Sequence, residues 1–133
     1  MLVLIQGQAL RHGLAARRLR YRNRHDEVGA PPIGAGGYHL FLSHVWGTGQ
    51  DQMRVVKQRL LEMMPALRVF LDVDEAGFEI GNLESYVEKS RVVLVFCSDG
   101  YASSANCMRE LRAAVSAGKP LIALLELSAR HGG

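Results

Sequence analysis

The chain has 133 residues, 48% of them apolar and 22% charged, so it fits one ordinary globular domain and excludes disordered and collagen-like classes. Its net charge of +3 is uneven. Residues 1 to 37 hold six arginines against Asp26 and Glu27, +4, while the remainder carries ten basic and eleven acidic residues, −1, so the basicity belongs to the leader and is poor evidence for nucleic-acid binding by the fold itself.

Cys97 and Cys107 are too few for a disulfide framework and lack zinc-ligand spacing, which points to a reducing, intracellular setting. No apolar run approaches the roughly 18 residues of a membrane span. The opening MLVLIQGQAL has no basic n-region for a signal peptide, and the Arg-rich stretch behind it is open to two readings, an organelle-targeting leader or a plain tail.

GAPPIGAGG, residues 29 to 37, is too rich in Gly and Pro for a regular element and reads as a linker. Its GAGG is no dinucleotide fingerprint, because it precedes the first strand instead of following it. The expected organisation is therefore a leader and linker over 1–37, a domain over 38–127 and a tail over 128–133.

Within the domain, YHLFLSH (38–44) predicts a buried strand and VWGTGQD a loop. From Gln50 to Met64 the apolar positions Met53, Val56, Leu60, Met63 and Met64 recur at helical spacing, and Pro65 ends the helix. LRVFLDV (67–73) predicts a second strand, the polar stretch from Asp74 to Gly81 a loop, and Leu83 to Ser90 a short helix. VVLVFC (92–97) is an unbroken apolar run, as in a central parallel strand covered on both faces. Asn106 to Ala117 carries Cys107, Leu111, Ala114 and Val115 on one helical face, and PLIALLEL (120–127) predicts the fourth strand. This β-α-β-α-β-α-β alternation implies an α/β fold with a doubly wound parallel sheet.

YHLFLSH, FLDVDEAGFEIGNLESYVEKS, VVLVFCS and YASSANCMREL, in this order and spacing over residues 38 to 126, resemble the TIR (Toll/interleukin-1 receptor) domain family, in its plant and microbial NAD-cleaving branch. The resemblance implies a flavodoxin-like fold, whose usual strand order is 2-1-3-4-5. Four strands are present here, in an expected order 2-1-3-4; the fifth and its helix are missing from the sequence in hand, which leaves the fourth strand as an exposed edge.

The family has two branches, implying two functions. One cleaves the nicotinamide N-glycosidic bond of NAD with a glutamate in the helix after the third strand; NAD is then substrate, and no cofactor is needed. The other consists of signalling adaptors that only associate with other TIR domains. Against a motif similar to YxSSxWCLxEL this sequence reads Tyr101, Ser103, Ser104, Cys107, Met108 (in place of leucine), Glu110 and Leu111, which makes Glu110 the candidate catalytic residue. Asn106 stands where the motif has tryptophan, and Val45 where plant-type members often have arginine.

The chemistry asks for a carboxylate on independent grounds, since losing nicotinamide leaves positive charge on the ribose. A plain helix-surface glutamate is the competing reading. Tyr101, Asn106 and Cys107 are candidate substrate contacts with the motif, and Gly81 with the loop from Asp74 to Gly81, which in the family packs on a neighbouring subunit. Trp46 is open to stacking on a base or to capping its own loop, while Gly47 or Gly49 would let backbone approach phosphates. Ser43 and His44 either bind ligand or merely end the strand. With no GxSxG or triad pattern, nucleophilic hydrolase chemistry is disfavoured. Asp72, Asp74 and Glu75 lack an acid at the end of the first strand, so no metal is expected. For Cys107, the helix N-terminus argues for a lowered thiol pKa and the shared face with Leu111 for burial. A cytoplasmic protein follows from the family.

Overall fold

The computed structural model describes residues 18–133, so the first part of the expected leader lies outside the described residues. Four strands, β1 (Tyr38–Ser43), β2 (Val69–Phe70), β3 (Ser90–Cys97) and β4 (Leu121–Leu125), form one parallel sheet in the order β2-β1-β3-β4. Three helices alternate with them: α1 (Trp46–Met63), α2 (Leu83–Glu88) and α3 (Ala105–Ser116). The alternation read from the sequence is the observed order.

Side chains alternate across a strand, so each central strand feeds two cores. On one face Phe41, Phe70, Val93 and Val95 meet Leu83 and Val87 of α2 and Cys107 and Ala114 of α3. Phe70 stacks on Phe41 at 4.8 Å and on Tyr86 at 4.7 Å. On the other face Leu42, Leu94 and Phe96 meet Met53 of α1. The alternation explains why VVLVFC carries no polar residue: both faces of β3 are covered.

Besides the trimmed ends of α2 and β4, the element bounds differ from expectation in three places. α1 begins at Trp46, so the glycine-bearing stretch expected as a loop is its first turn. Gly49 is required there by contact: a Cβ on it would lie 2.8 Å from Cδ1 of Phe96 and 3.2 Å from Cβ of His44. β2 pairs over only two residues, because the chain turns away into a 3-10 turn at Asp72–Asp74. β3 starts two residues early, at Ser90. All five residues of β4 are exposed, as an edge strand expects.

Between residues 18 and 37 the chain forms an isolated antiparallel bridge, Arg20 to Glu27, and then runs along the sheet. His39 accepts from Arg68 N at Nδ1 (2.9 Å) and therefore donates from Nε2 to Pro31 O (2.7 Å). Arg91 donates to Pro32 O at 2.7 Å. No helix among the described residues is long and apolar enough to cross a membrane.

Candidate functional site

The parallel sheet places the ends of β1 and β2 and the start of α3 at one edge, the carboxyl edge where open α/β sheets bind ligands. The chain leaves β3 through Gly100, held at φ 80, and a 3-10 turn at Tyr101–Ser103, which buries Tyr101. Ser104 then caps α3, its hydroxyl accepting from Cys107 N at 3.3 Å. This start fixes the phase of the helix. Glu110, in its second turn, points inward and is only 7% exposed.

A cavity of about 220 Å³ opens above Glu110, walled by His44, Val45, Trp46, Gly47, Asp72, Phe78, Ile80, Leu83, Ser104, Asn106 and Cys107. Of the residues singled out in the sequence, His44, Trp46, Gly47, Asn106, Cys107 and Glu110 meet here. Ser43 and Tyr101 lie behind Glu110: Ser43 donates to Glu110 Oε2, and its Oγ is 2.7 Å from the Tyr101 hydroxyl. Gly81 is not among the lining residues, though its neighbour Ile80 is.

Burial pushes the Glu110 carboxyl up from an ordinary 4.5 to about 8, against the Ser43 hydrogen bond, which lowers it; Asp72 raises it further and Arg109 lowers it. Arg109 itself is held by a two-pronged pair to Glu84, at 2.8 and 2.7 Å, which ties α3 to α2. Burial also raises the Tyr101 phenol. At Cys107 burial outweighs the hydrogen bond from Ser104 and raises the thiol, which donates to His44 O at 3.3 Å. Of the two sequence arguments for this cysteine, the buried one describes its surroundings. Both cysteines are free.

Trp46 is 54% exposed and donates its indole N–H to Asp72 Oδ2, which holds the ring across the cavity mouth. A larger hollow of about 490 Å³ lies on its other side, lined by the first turns of α1 and by Arg130, His131 and Gly132; Trp46 and Gly47 border both. The smaller cavity is the better candidate, because Glu110, Asp72 and His44 converge only there. Among the described residues no cluster of His, Cys, Asp and Glu is arranged to hold a metal ion.

For two residues of this site, Asp72 and Phe78, the sequence reading gives no role in binding a substrate. Asp72 was weighed only as part of an acidic cluster, although its position at the end of the strand beside β1 was a signal. Phe78 was absorbed into a loop, and only tertiary contact with Phe70 and Tyr86 brings it inward.

No curated protein matches the chain. Among solved structures the fold is similar to the TIR domain of the Toll-related receptor TRR-2 from Hydra magnipapillata, with a TM-score of 0.57 and 16% identity over 69% of this chain and 73% of that one. A family model described as the TIR domain matches residues 38–121, more than half of the 133. The chain belongs to the TIR domain family.

Proposed function

We propose that this TIR domain cleaves the nicotinamide N-glycosidic bond of NAD, with Glu110 as the catalytic carboxylate and the protein working in the cytoplasm where NAD is supplied. The observation that carries the reading is the buried position of Glu110 on a cavity whose walls are the apolar Phe78, Ile80 and Leu83 and whose mouth holds Trp46. Ligand pockets run to about 300–1,000 Å³. A cavity of about 220 Å³ therefore takes the nicotinamide-ribose end, and the remainder of the dinucleotide passes Trp46 toward the larger hollow.

As the bond to nicotinamide breaks, the electron pair leaves with the ring nitrogen and positive charge grows on the ribose. A carboxylate in a poorly hydrated cavity stabilises that charge far better than one in water. Burial pushes the Glu110 carboxyl up to about 8, which favours its protonated form at neutral pH. The cationic nicotinamide ring favours the ionised carboxylate, so binding drives proton release. The charge needed for catalysis then arises with the substrate in place.

A second reading, an interaction module that signals by joining other TIR domains, is favoured by the fully exposed apolar strand β4 and by Asn106 in the wall where the motif has tryptophan. Nicotinamide release from NAD at high protein concentration, compared with Glu110→Gln, separates the two. Loss of release in the variant supports cleavage. A wild-type protein that releases none, even when concentrated into assemblies, leaves the interaction module.

A further inference from the structure

We infer that His44 is the general base for the hydrolytic step, holding the attacking water together with Asp72; this rests on the reading of Glu110 as the NAD-cleaving carboxylate. His44 directly follows β1, and its side chain is 2% exposed. Nδ1 lies 3.2 Å from Leu42 O, a carbonyl that can only accept, so Nδ1 carries a proton, and in the neutral form of the ring Nε2 presents its lone pair. Nε2 is buried and has no hydrogen-bond partner within the protein among the described residues.

Asp72 Oδ1 stands 3.9 Å away, beyond hydrogen-bond reach, and a carboxylate has no proton to give. Two acceptors thus face each other on the wall of the cavity that contains Glu110. Nε2 in that form lacks the donor that a buried acceptor requires, and Oδ1, which already accepts from Val73 N, has a second lone pair that can accept. The group that serves both from one position is a molecule with two protons to donate, and a water seated to one side of the 3.9 Å separation would direct one O–H to each. Its lone pairs then point away from both acceptors, the orientation a nucleophile needs. Asp72 is held for the task, Oδ2 by the Trp46 indole and Oδ1 by Val73 N at 2.8 Å.

The step balances. The water oxygen forms a bond to the ribose C1′ while the C1′–nitrogen bond breaks and its electron pair goes to the departing nicotinamide. The water proton moves to Nε2. The imidazolium so formed faces Asp72, Glu110 is the other carboxylate on the cavity, and the Cys107 thiol lies against the His44 backbone; the proton passes to solvent after product leaves.

A pyridine base attacks C1′ through its ring nitrogen and has no proton to lose, so it bypasses the base. The test compares NAD hydrolysis with exchange of nicotinamide for added 3-acetylpyridine, in wild type, His44→Gln and His44→Asn, each checked for an intact melting transition. General bases contribute about 10²- to 10⁴-fold. Hydrolysis is expected to fall by that factor while exchange falls several-fold at most. Asp72→Asn, which leaves the imidazole in place, provides the same comparison with a smaller loss of hydrolysis if position 44 tolerates no amide. Hydrolysis and exchange falling together would mean that His44 binds a substrate hydroxyl or supports the fold, and would overturn the inference, as would unchanged hydrolysis. Wild type lacking both reactions removes the NAD-cleaving reading itself, a result distinct from either.

Discussion

Ser43, the last residue of β1, donates its hydroxyl proton to Glu110 of α3, and the Tyr101 hydroxyl stands 2.7 Å behind it. Because Ser43 spends its one proton on the carboxyl group, Tyr101 donates to Ser43, and the chain of hydrogen bonds runs one way, toward Glu110. It opposes burial, which drives the same carboxyl toward its neutral form.

Ser43→Ala removes the largest influence that lowers the Glu110 pKa. Titration of the Glu110 carboxyl, followed by carbon NMR, is expected to move above the wild-type midpoint of about 8. Tyr101→Phe acts only through Ser43 and should shift the midpoint in the same direction by less. A midpoint that falls in Ser43→Ala contradicts the arrangement.

Glu110 also makes folding depend on pH. Its folded value, about 8, lies above the unfolded 4.5, so between those values the folded chain holds a proton that the unfolded chain releases. This contribution is fully present below about pH 4.5 and is lost as pH rises through about 8. At about 1.4 kcal/mol for each pH unit between them, the loss is on the order of a few kcal/mol. Urea unfolding at pH 5 and pH 9 is expected to show wild type losing this much relative to Glu110→Gln, which has no proton to release. Parallel pH curves for the two proteins would show that Glu110 titrates normally.

Gly49→Ala tests the seating of α1. The new methyl would lie 2.8 Å from the Phe96 ring, on a strand covered from both sides, so α1 must move or the ring must turn. Overpacking of this kind costs about 1–3 kcal/mol. Thermal melting should show a clear drop in Tm, whereas Gly47→Ala, with nothing within 4 Å of the added carbon, should leave Tm near wild type.

The same glycine shows where sequence reading stops. VVLVFC was legible as a central strand because two covered faces demand an unbroken apolar run, and the helix from Gln50 onward was legible by its spacing. The turn before Gln50 was not: Gly47 and Gly49 argue locally against a helix, and only the approach of Phe96, 47 residues on, explains why one of them is needed. The shortness of β2 was hidden similarly, since VFL reads as strand until Asp72 binds Trp46 across the site. Glu110 could be singled out by its motif, but the loneliness of His44 Nε2 is a property of three-dimensional surroundings and leaves no mark on composition or spacing.

β4 gives a prediction about solution behaviour. Ile122 and Leu124 pair with Leu94 and Phe96 and so share the α1 face, while Leu121 and Leu125 share the other; all four are exposed. An apolar edge strand invites pairing with another chain. Ile122→Lys with Leu125→Lys, one charge on each face, is expected to lower light scattering of concentrated protein, and each should change stability by no more than about 0.5 kcal/mol, as exposed substitutions do. Undiminished scattering would place self-association elsewhere.

The chain has a single tryptophan, and it borders both hollows. Its indole nitrogen is tethered to Asp72, while about half of its surface meets solvent. Whatever enters on either side must displace water from that ring or disturb its tether. The protein therefore carries an unlabelled optical reporter at the junction of its two recesses, and a shift in emission can register occupancy before any reaction is assayed.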